Sequence, residues 1–238
     1  MHIEAYGTTD RGQVRQSNED AFFIDESHQL YAVADGLGGL PGGAEASQRT
    51  VELINMALEQ AGTATTPFDW KSVIGGIHQK VTDESFDAHP FTGSGSTLTV
   101  AHITGDQLTI AHVGDSAAYL LRGGHLEKLT LDHTMEQEWI AQRGEAARAA
   151  MPPEMSHTLT RCIGQNDELQ VDQTVHRLKS GDRVLLCTDG LNKVLPEATI
   201  EEALRNAATP EDSCKELTEL ANQSAGPDNI TIIVLQVC

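Results

Sequence analysis

Leu98-Thr99-Val100-Ala101-His102-Ile103, Gln107-Leu108-Thr109-Ile110-Ala111 and Ala117-Ala118-Tyr119-Leu120-Leu121 are three β-prone runs in close succession. Thr104-Gly105-Asp106 separates the first two and Arg122-Gly123-Gly124 closes the third, so residues 96–129 read as an antiparallel meander. Helical patterns lie on either side. Upstream, the turn Gly36-Leu37-Gly38-Gly39-Leu40-Pro41-Gly42-Gly43 feeds a helix expected over residues 44–61, with Val51, Ile54 and Leu58 on one face. A second helix is expected from near Pro67, carrying Ile74, Ile77 and Val81. The opening segment reads as strand, loop, then a strand ending at Ala34. Downstream, residues 135–150 form a polar, Ala-rich helical stretch that Pro152-Pro153 ends. Its weak apolar face predicts a loosely packed, mobile flap over residues 133–158. A strand over 184–187, helices over 196–207 and 210–224, and a last strand over 230–237 complete the chain. Helices flanking a block of antiparallel strands predict an α+β fold: a central antiparallel β-sandwich with helices on both outer faces, four layers αββα.

No repeat or linker divides the 238 residues, a length that suits a single domain. The net charge is -19, from 16 basic and 35 acidic side chains, which argues against a nucleic-acid backbone or an anionic membrane surface as partner. Cys162, Cys187, Cys214 and Cys238 stand far apart with no C-x-x-C spacing, the pattern of reduced thiols, so a cytoplasmic location is expected. The N-terminus lacks the basic and apolar regions of a signal peptide, and no apolar run approaches the roughly 18–20 residues that cross a bilayer.

The acidic residues carry the chemistry. Asp35 follows Leu30-Tyr31-Ala32-Val33-Ala34, Asp189 follows Arg183-Val184-Leu185-Leu186-Cys187, and Asp228 precedes Ile230-Thr231-Ile232-Ile233-Val234. Carboxylates at strand ends are held by a rigid sheet and repel where they converge, unless a cation joins them. Hard oxygen donors suit Mg²⁺ or Mn²⁺. The expectation is a carboxylate-held, binuclear metal centre. The ten histidines include no H-x-x-x-H-like pair and are read as structural or solvated.

In order along the chain stand Arg15-x-x-Asn18-Glu19-Asp20, Ala34-Asp35-Gly36-Leu37-Gly38-Gly39, Gly95-Ser96-Thr97, Ala111-His112-Val113-Gly114-Asp115-Ser116, Leu159-Thr160-Arg161, Cys187-Thr188-Asp189-Gly190-Leu191 and Asp228-Asn229. As an ordered set these closely resemble the protein phosphatase 2C family of metal-dependent Ser/Thr protein phosphatases, in its compact bacterial form. The resemblance implies Mg²⁺ or Mn²⁺ as cofactor, two ions in the core and a third, weaker one. A carboxylate has one oxygen for each of two ions about 3.5–4 Å apart, which makes Asp35 the candidate bridge. The resemblance further implies that Asp189 and Asp228 complete one core site, and Glu19 with the Gly36 carbonyl the other. Asp20 would orient metal-bound waters, and Asp115 would help Asp189 hold the third ion. Arg15 is the expected phosphate clamp, since a guanidinium grips two oxygens at once. Phosphoserine and phosphothreonine would be hydrolysed by direct attack of a metal-bridging hydroxide. Leu37 departs from the many eukaryotic members that carry histidine there, so no side chain at that position serves as general acid.

The implied partners are phosphorylated proteins, substrates of a cognate Ser/Thr kinase, and the chain is expected to be a monomer. Two readings compete: a hydrolase of small phosphoesters, and a pseudophosphatase that binds phosphoproteins without turnover. The full complement of acidic residues weighs against the second.

Overall fold

Strands that alternate apolar side chains to two covered faces make a sandwich wrapped in helices, and this chain does so. The computed structural model describes residues 1–61, 68–152, 155–166 and 168–238. Ten strands form two five-stranded antiparallel sheets, β1-β10-β9-β6-β7 and β2-β3-β4-β5-β8. The first contains β1 (Ile3–Asp10), β6 (Ala117–Arg122), β7 (His125–Lys128), β9 (Arg183–Cys187) and β10 (Ile230–Val237). The second contains β2 (Asp20–Asp25), β3 (Leu30–Asp35), β4 (Leu98–Thr104), β5 (Gln107–Val113) and β8 (Asp172–Arg177).

Between the sheets lie Tyr31, Val33, Ile110, Leu120, Val184, Leu186, Ile233 and Leu235. The alternate residues face outward: Leu185, Cys187, Ile232 and Val234 pack with Ile200, Leu204, Cys214 and Leu217 of α5 (Glu197–Asn206) and α6 (Pro210–Gln223). On the other side, Leu30, Ala32, Leu98 and Val100 pack with Ile54, Leu58, Trp70, Ile74 and Ile77 of α1 (Gly43–Ala61) and α2 (Trp70–Ala88). The expected αββα layering is the observed one.

Local readings differ in places. The three runs read as one meander divide between the sheets, because the chain turns at Gly114 (φ +106°) and crosses over. Strand β4 pairs with β5 in one sheet, while β6 pairs with β7 and β9 in the other. The second helix starts at Trp70, capped by Asp69, whose side chain accepts from the Ser72 N–H; Pro67 lies outside the described residues. The helix expected over 135–150 stops at Arg143, because Gly144 takes φ +83° and diverts the chain into a 3-10 turn over Glu145–Ala150. A strand not anticipated, β2, pairs with β3, and polar edge strands β7 and β8 extend the sheets.

The inter-sheet layer should carry the stability. Leu186→Ala, at a fully buried position, should cost about 2–5 kcal/mol in urea unfolding. Val175→Ala, on the exposed edge strand β8, should cost less than about 0.5 kcal/mol.

Candidate active site

The antiparallel pairing brings every singled-out carboxylate to one end of the sandwich. Asp35 ends β3, and its register partner Asp20 opens β2 just after Glu19. Asp115 lies in the turn between β5 and β6, Asp189 opens a short helix α4 (Asp189–Asn192) after β9, and Asp228 stands two residues before the start of β10, with Asn229 between. The two sheets thus deliver acids from the ends of four strand connections and from the loop leading into β2.

Backbone packing fixes the approach. A Cβ on Gly190 would stand 1.9 Å from the Asn229 carbonyl, so the β9–α4 corner presses directly on the chain leading into β10. This places Asp189 beside Asp228. A Cβ on Gly36 would meet the Gly43 carbonyl at 2.3 Å and the Glu19 carbonyl at 2.7 Å, and the Gly36 N–H donates to Glu19 O at 3.0 Å. Asn229 ties the Arg15 loop down. Its Nδ2 donates to the Arg11 and Ser17 carbonyls at 2.9 Å, and its Oδ1 accepts from the Glu19 N–H at 2.8 Å.

These residues line a cavity of about 540 Å³ with Arg15, Glu19, Asp35, Gly36, Asp115 and Asp189 in its wall, alongside Asp228 and Lys193. Arg15 Nη2 donates to Asp228 Oδ2 at 2.7 Å. Lys193 Nζ donates to Asp115 Oδ2 at 2.5 Å and to Asp189 Oδ2 at 2.9 Å. Asp20 sits behind the wall: Oδ2 accepts from the Thr188 hydroxyl at 2.8 Å, while the buried Oδ1 has no partner among the described residues. Burial, followed by repulsion from Asp20, Asp189, Asp115 and Asp228, holds the Asp35 carboxyl well above the usual range. Burial pushes Asp20 up to about 7, against the opposing pull of its hydroxyl neighbours.

A cluster that raises its own pKa values in this way is short of positive charge. Its donors are all oxygen, the set that suits Mg²⁺ or Mn²⁺. Among the described residues, no three acidic, imidazole or thiol groups already close on one point, and Arg15 and Lys193 engage three of the acids. The orphaned Asp20 Oδ1 and the raised Asp35 fit a centre completed by cations and their water.

All eight sequence-predicted site residues gather here, seven on the cavity wall and Asp20 just behind it. Sequence reading missed Lys193, whose spacing to Asp189 on a helix was the available signal. It also passed over Asn229 and Thr188 as positioning groups. The histidines are structural where they are buried. His112 Nε2 donates to Leu131 O at 3.2 Å, Nδ1 accepts from the Thr99 hydroxyl at 2.9 Å, and burial pushes the imidazole down to about 3. His133 meets Arg161 Nη1 at 3.1 Å, and Arg161 also donates to Asp172 Oδ1 at 2.9 Å.

A second recess of about 360 Å³ adjoins the cavity, sharing Leu37, Gly38, His157 and Leu159 with it and running on past Leu40 and Leu169.

A family profile described as "Protein phosphatase 2C" matches residues 9–229. The serine/threonine phosphatase Stp of Listeria monocytogenes is 33% identical over 244 aligned residues, which cover 99% of this chain and 96% of that protein. The solved serine/threonine phosphatase of S. agalactiae superposes with a TM-score of 0.89 at 32% identity, covering 100% of both chains. The catalytic domain of the serine/threonine phosphatase PstP, solved with two manganese ions, gives a TM-score of 0.82 at 31% identity and 99% coverage of each chain.

The raised acids have a measurable consequence in chelator-treated protein. Asp20 moves from 3.8 in the unfolded chain to about 7 in the fold, so the folded state binds the extra proton. The stability this contributes is present at acid pH and lost as pH rises through about 7. Metal-free protein should therefore melt at higher temperature at pH 5.5 than at pH 7.5, and Asp20→Asn should flatten that slope. A metal-free wild type with no slope would contradict the electrostatic description.

Proposed function

The chain belongs to the protein phosphatase 2C family, and from that premise we propose that it is a metal-dependent phosphatase acting on phosphoserine and phosphothreonine in proteins. The observation that carries this reading is the convergence of Arg15 with Glu19, Asp35, Asp189 and Asp228 around one cavity.

Two Mg²⁺ or Mn²⁺ ions would supply Lewis acidity and a water of lowered pKa for in-line attack on phosphorus. The family resemblance, together with their gathering on one cavity wall, supports the following parts for the residues. Asp35, at the centre of the acidic set, would help hold both ions. Asp189 and Asp228 would help hold one, and Glu19 with the Gly36 carbonyl would help hold the other. Asp20 Oδ1 is available to accept a hydrogen bond from water behind the wall, and the Thr188 hydroxyl fixes the other oxygen. Arg15 is half-exposed, its guanidinium engaging one Asp228 oxygen and offering its remaining donors to phosphate. Leu37 gives the cavity an apolar wall and no proton.

The adjoining recess favours protein over small phosphoesters, because a peptide chain continuing from the phosphoresidue has a place to lie along Leu40, Leu159 and Leu169. The retained acids support turnover over a purely binding role. We further read the chain as one catalytic domain, with residues 133–158 as its flap, acting as a cytoplasmic monomer opposite a cognate Ser/Thr kinase. Among the described residues no helix is long and apolar enough to cross a membrane, and all four cysteines are thiols.

Chelation should abolish turnover, and Mn²⁺ or Mg²⁺ should restore it. Asp35→Asn should lower kcat by several orders of magnitude and reduce the bound ions counted by calorimetry, whereas Arg15→Ala should keep the ions and mainly raise KM. Unchanged ion stoichiometry in Asp35→Asn would remove Asp35 from its central place. A phosphothreonine peptide should show kcat/KM about tenfold or more above free phosphothreonine, about 1.4 kcal/mol of added binding. Equal values would favour the small-phosphoester reading.

A further inference from the structure

Asp115 and Asp189 share one partner. Lys193 Nζ lies 2.5 Å from Asp115 Oδ2 and 2.9 Å from Asp189 Oδ2, so the ammonium bridges an acid from the β5–β6 turn and an acid from α4. The local chain makes this possible: Lys193 is the C-cap of α4, one helical turn after Asp189, in the acid-before-base order that helices favour. The Asp115 side chain keeps 6% of its exposure, Asp189 19% and Lys193 27%. A bridge this sheltered differs from a surface pair, because removing the ammonium would leave a buried carboxylate unpaired.

Building on the metal-centre reading above, we propose that Lys193 is a built-in cation that takes the place of a third divalent ion between Asp115 and Asp189. The centre then holds two ions, and Asp115 ligates neither. A Mg²⁺-sized ion bound by both acids would need oxygens about 2.0–2.1 Å away, in the space the ammonium fills. Placing a divalent charge beside it would set like charges against each other in the partly buried cavity wall. Charge balance agrees. Glu19, Asp20, Asp35, Asp115, Asp189 and Asp228 carry six negative charges when ionised, and Arg15 and Lys193 return two. The four that remain are the charge of two divalent ions. Asp189 contributes only Oδ2 to Lys193 and keeps Oδ1 for the core. Lys193 is thus a positioning residue: it sets the number of ions and holds Asp189 without touching substrate.

The test counts Mn²⁺ bound to the full chain by calorimetry and by electron paramagnetic resonance of the free ion, with circular dichroism confirming the fold. Wild type and Lys193→Arg should each bind two ions, with no third in the millimolar range. Lys193→Met, which keeps the stem and removes the charge, should bind a third, weaker ion. Adding Asp115→Asn to Lys193→Met should return the count to two. A third ion in wild type that Asp115→Asn removes would overturn the proposal, as would a folded Lys193→Met chain that still binds two. A wild type that binds no Mn²⁺ would overturn the metal-centre reading as well, so the two failures are separable.

Discussion

Mutual repulsion among carboxylates at one rim of the sandwich is the constraint on which the site depends. Two carboxylates about 6 Å apart repel by about 3 kcal/mol at an effective dielectric constant of 20, and this rim gathers six. A flexible scaffold would relieve that repulsion by spreading. This one resists, because β3, β9 and β10 are buried on both faces between helix layers and cannot shift without opening a core. Stability made in the sandwich is therefore what holds the acids in a high-energy arrangement, and cations recover the difference on binding.

Rigidity of the strands alone would not aim the acids. The aiming is done by hydrogen bonds at strand ends. The Asp35 N–H donates to Thr97 Oγ1 at 3.0 Å, and its carbonyl accepts from the Thr97 N–H at 2.8 Å. Thr188 and Thr231 exchange bonds, N–H to carbonyl and N–H to hydroxyl, at 3.0 Å each, locking the β9 corner to β10. Asn229 does the same for the loop that carries Arg15. These are neutral groups next to charged ones, and their loss would loosen the geometry without changing the charge.

The layers were legible because each central strand is a continuous apolar run and each covering helix shows its apolar face at helical spacing. Asp35, Asp189 and Asp228 were legible for the same reason: a charge abutting such a run marks a strand end. What stayed hidden has physical causes. The edge strand β8, Asp-Gln-Thr-Val-His-Arg, is mostly exposed and shows no apolar alternation. The break at Gly144 depends on a left-handed residue inside an otherwise helical composition. Lys193 was half-visible, since its spacing to Asp189 is local, but its tie to Asp115 spans 78 residues and only the fold brings them together.

The segment over residues 133–158 is held differently from the rest. Its ends are pinned: the Met135 N–H donates to Thr158 O at 2.9 Å, the Thr160 N–H donates to His133 O at 2.8 Å, and Arg161 fastens the root to Asp172. Between them, every residue of α3 (Met135–Arg143) and of the 3-10 turn is at least partly exposed. The contacts there include Trp139 Nε1 donating to the Ala147 carbonyl at 3.0 Å, which ties α3 to the turn, and surface interactions of about 1 kcal/mol or less each, Arg148 with Glu136 and Glu145 and Arg143 stacked on Trp139. The root carries Leu159, and His157 lies beside it; both line the carboxylate cavity and the recess. A displacement of this segment would therefore reshape the recess first. The segment also reaches the surroundings of one acid: the His133 N–H donates to the Gly114 carbonyl at 2.8 Å and the Gly114 N–H donates to His133 Nδ1 at 3.1 Å, directly beside Asp115, whereas Asp35 and the Asp189 corner are fixed by Thr97 and by the Thr188–Thr231 pair.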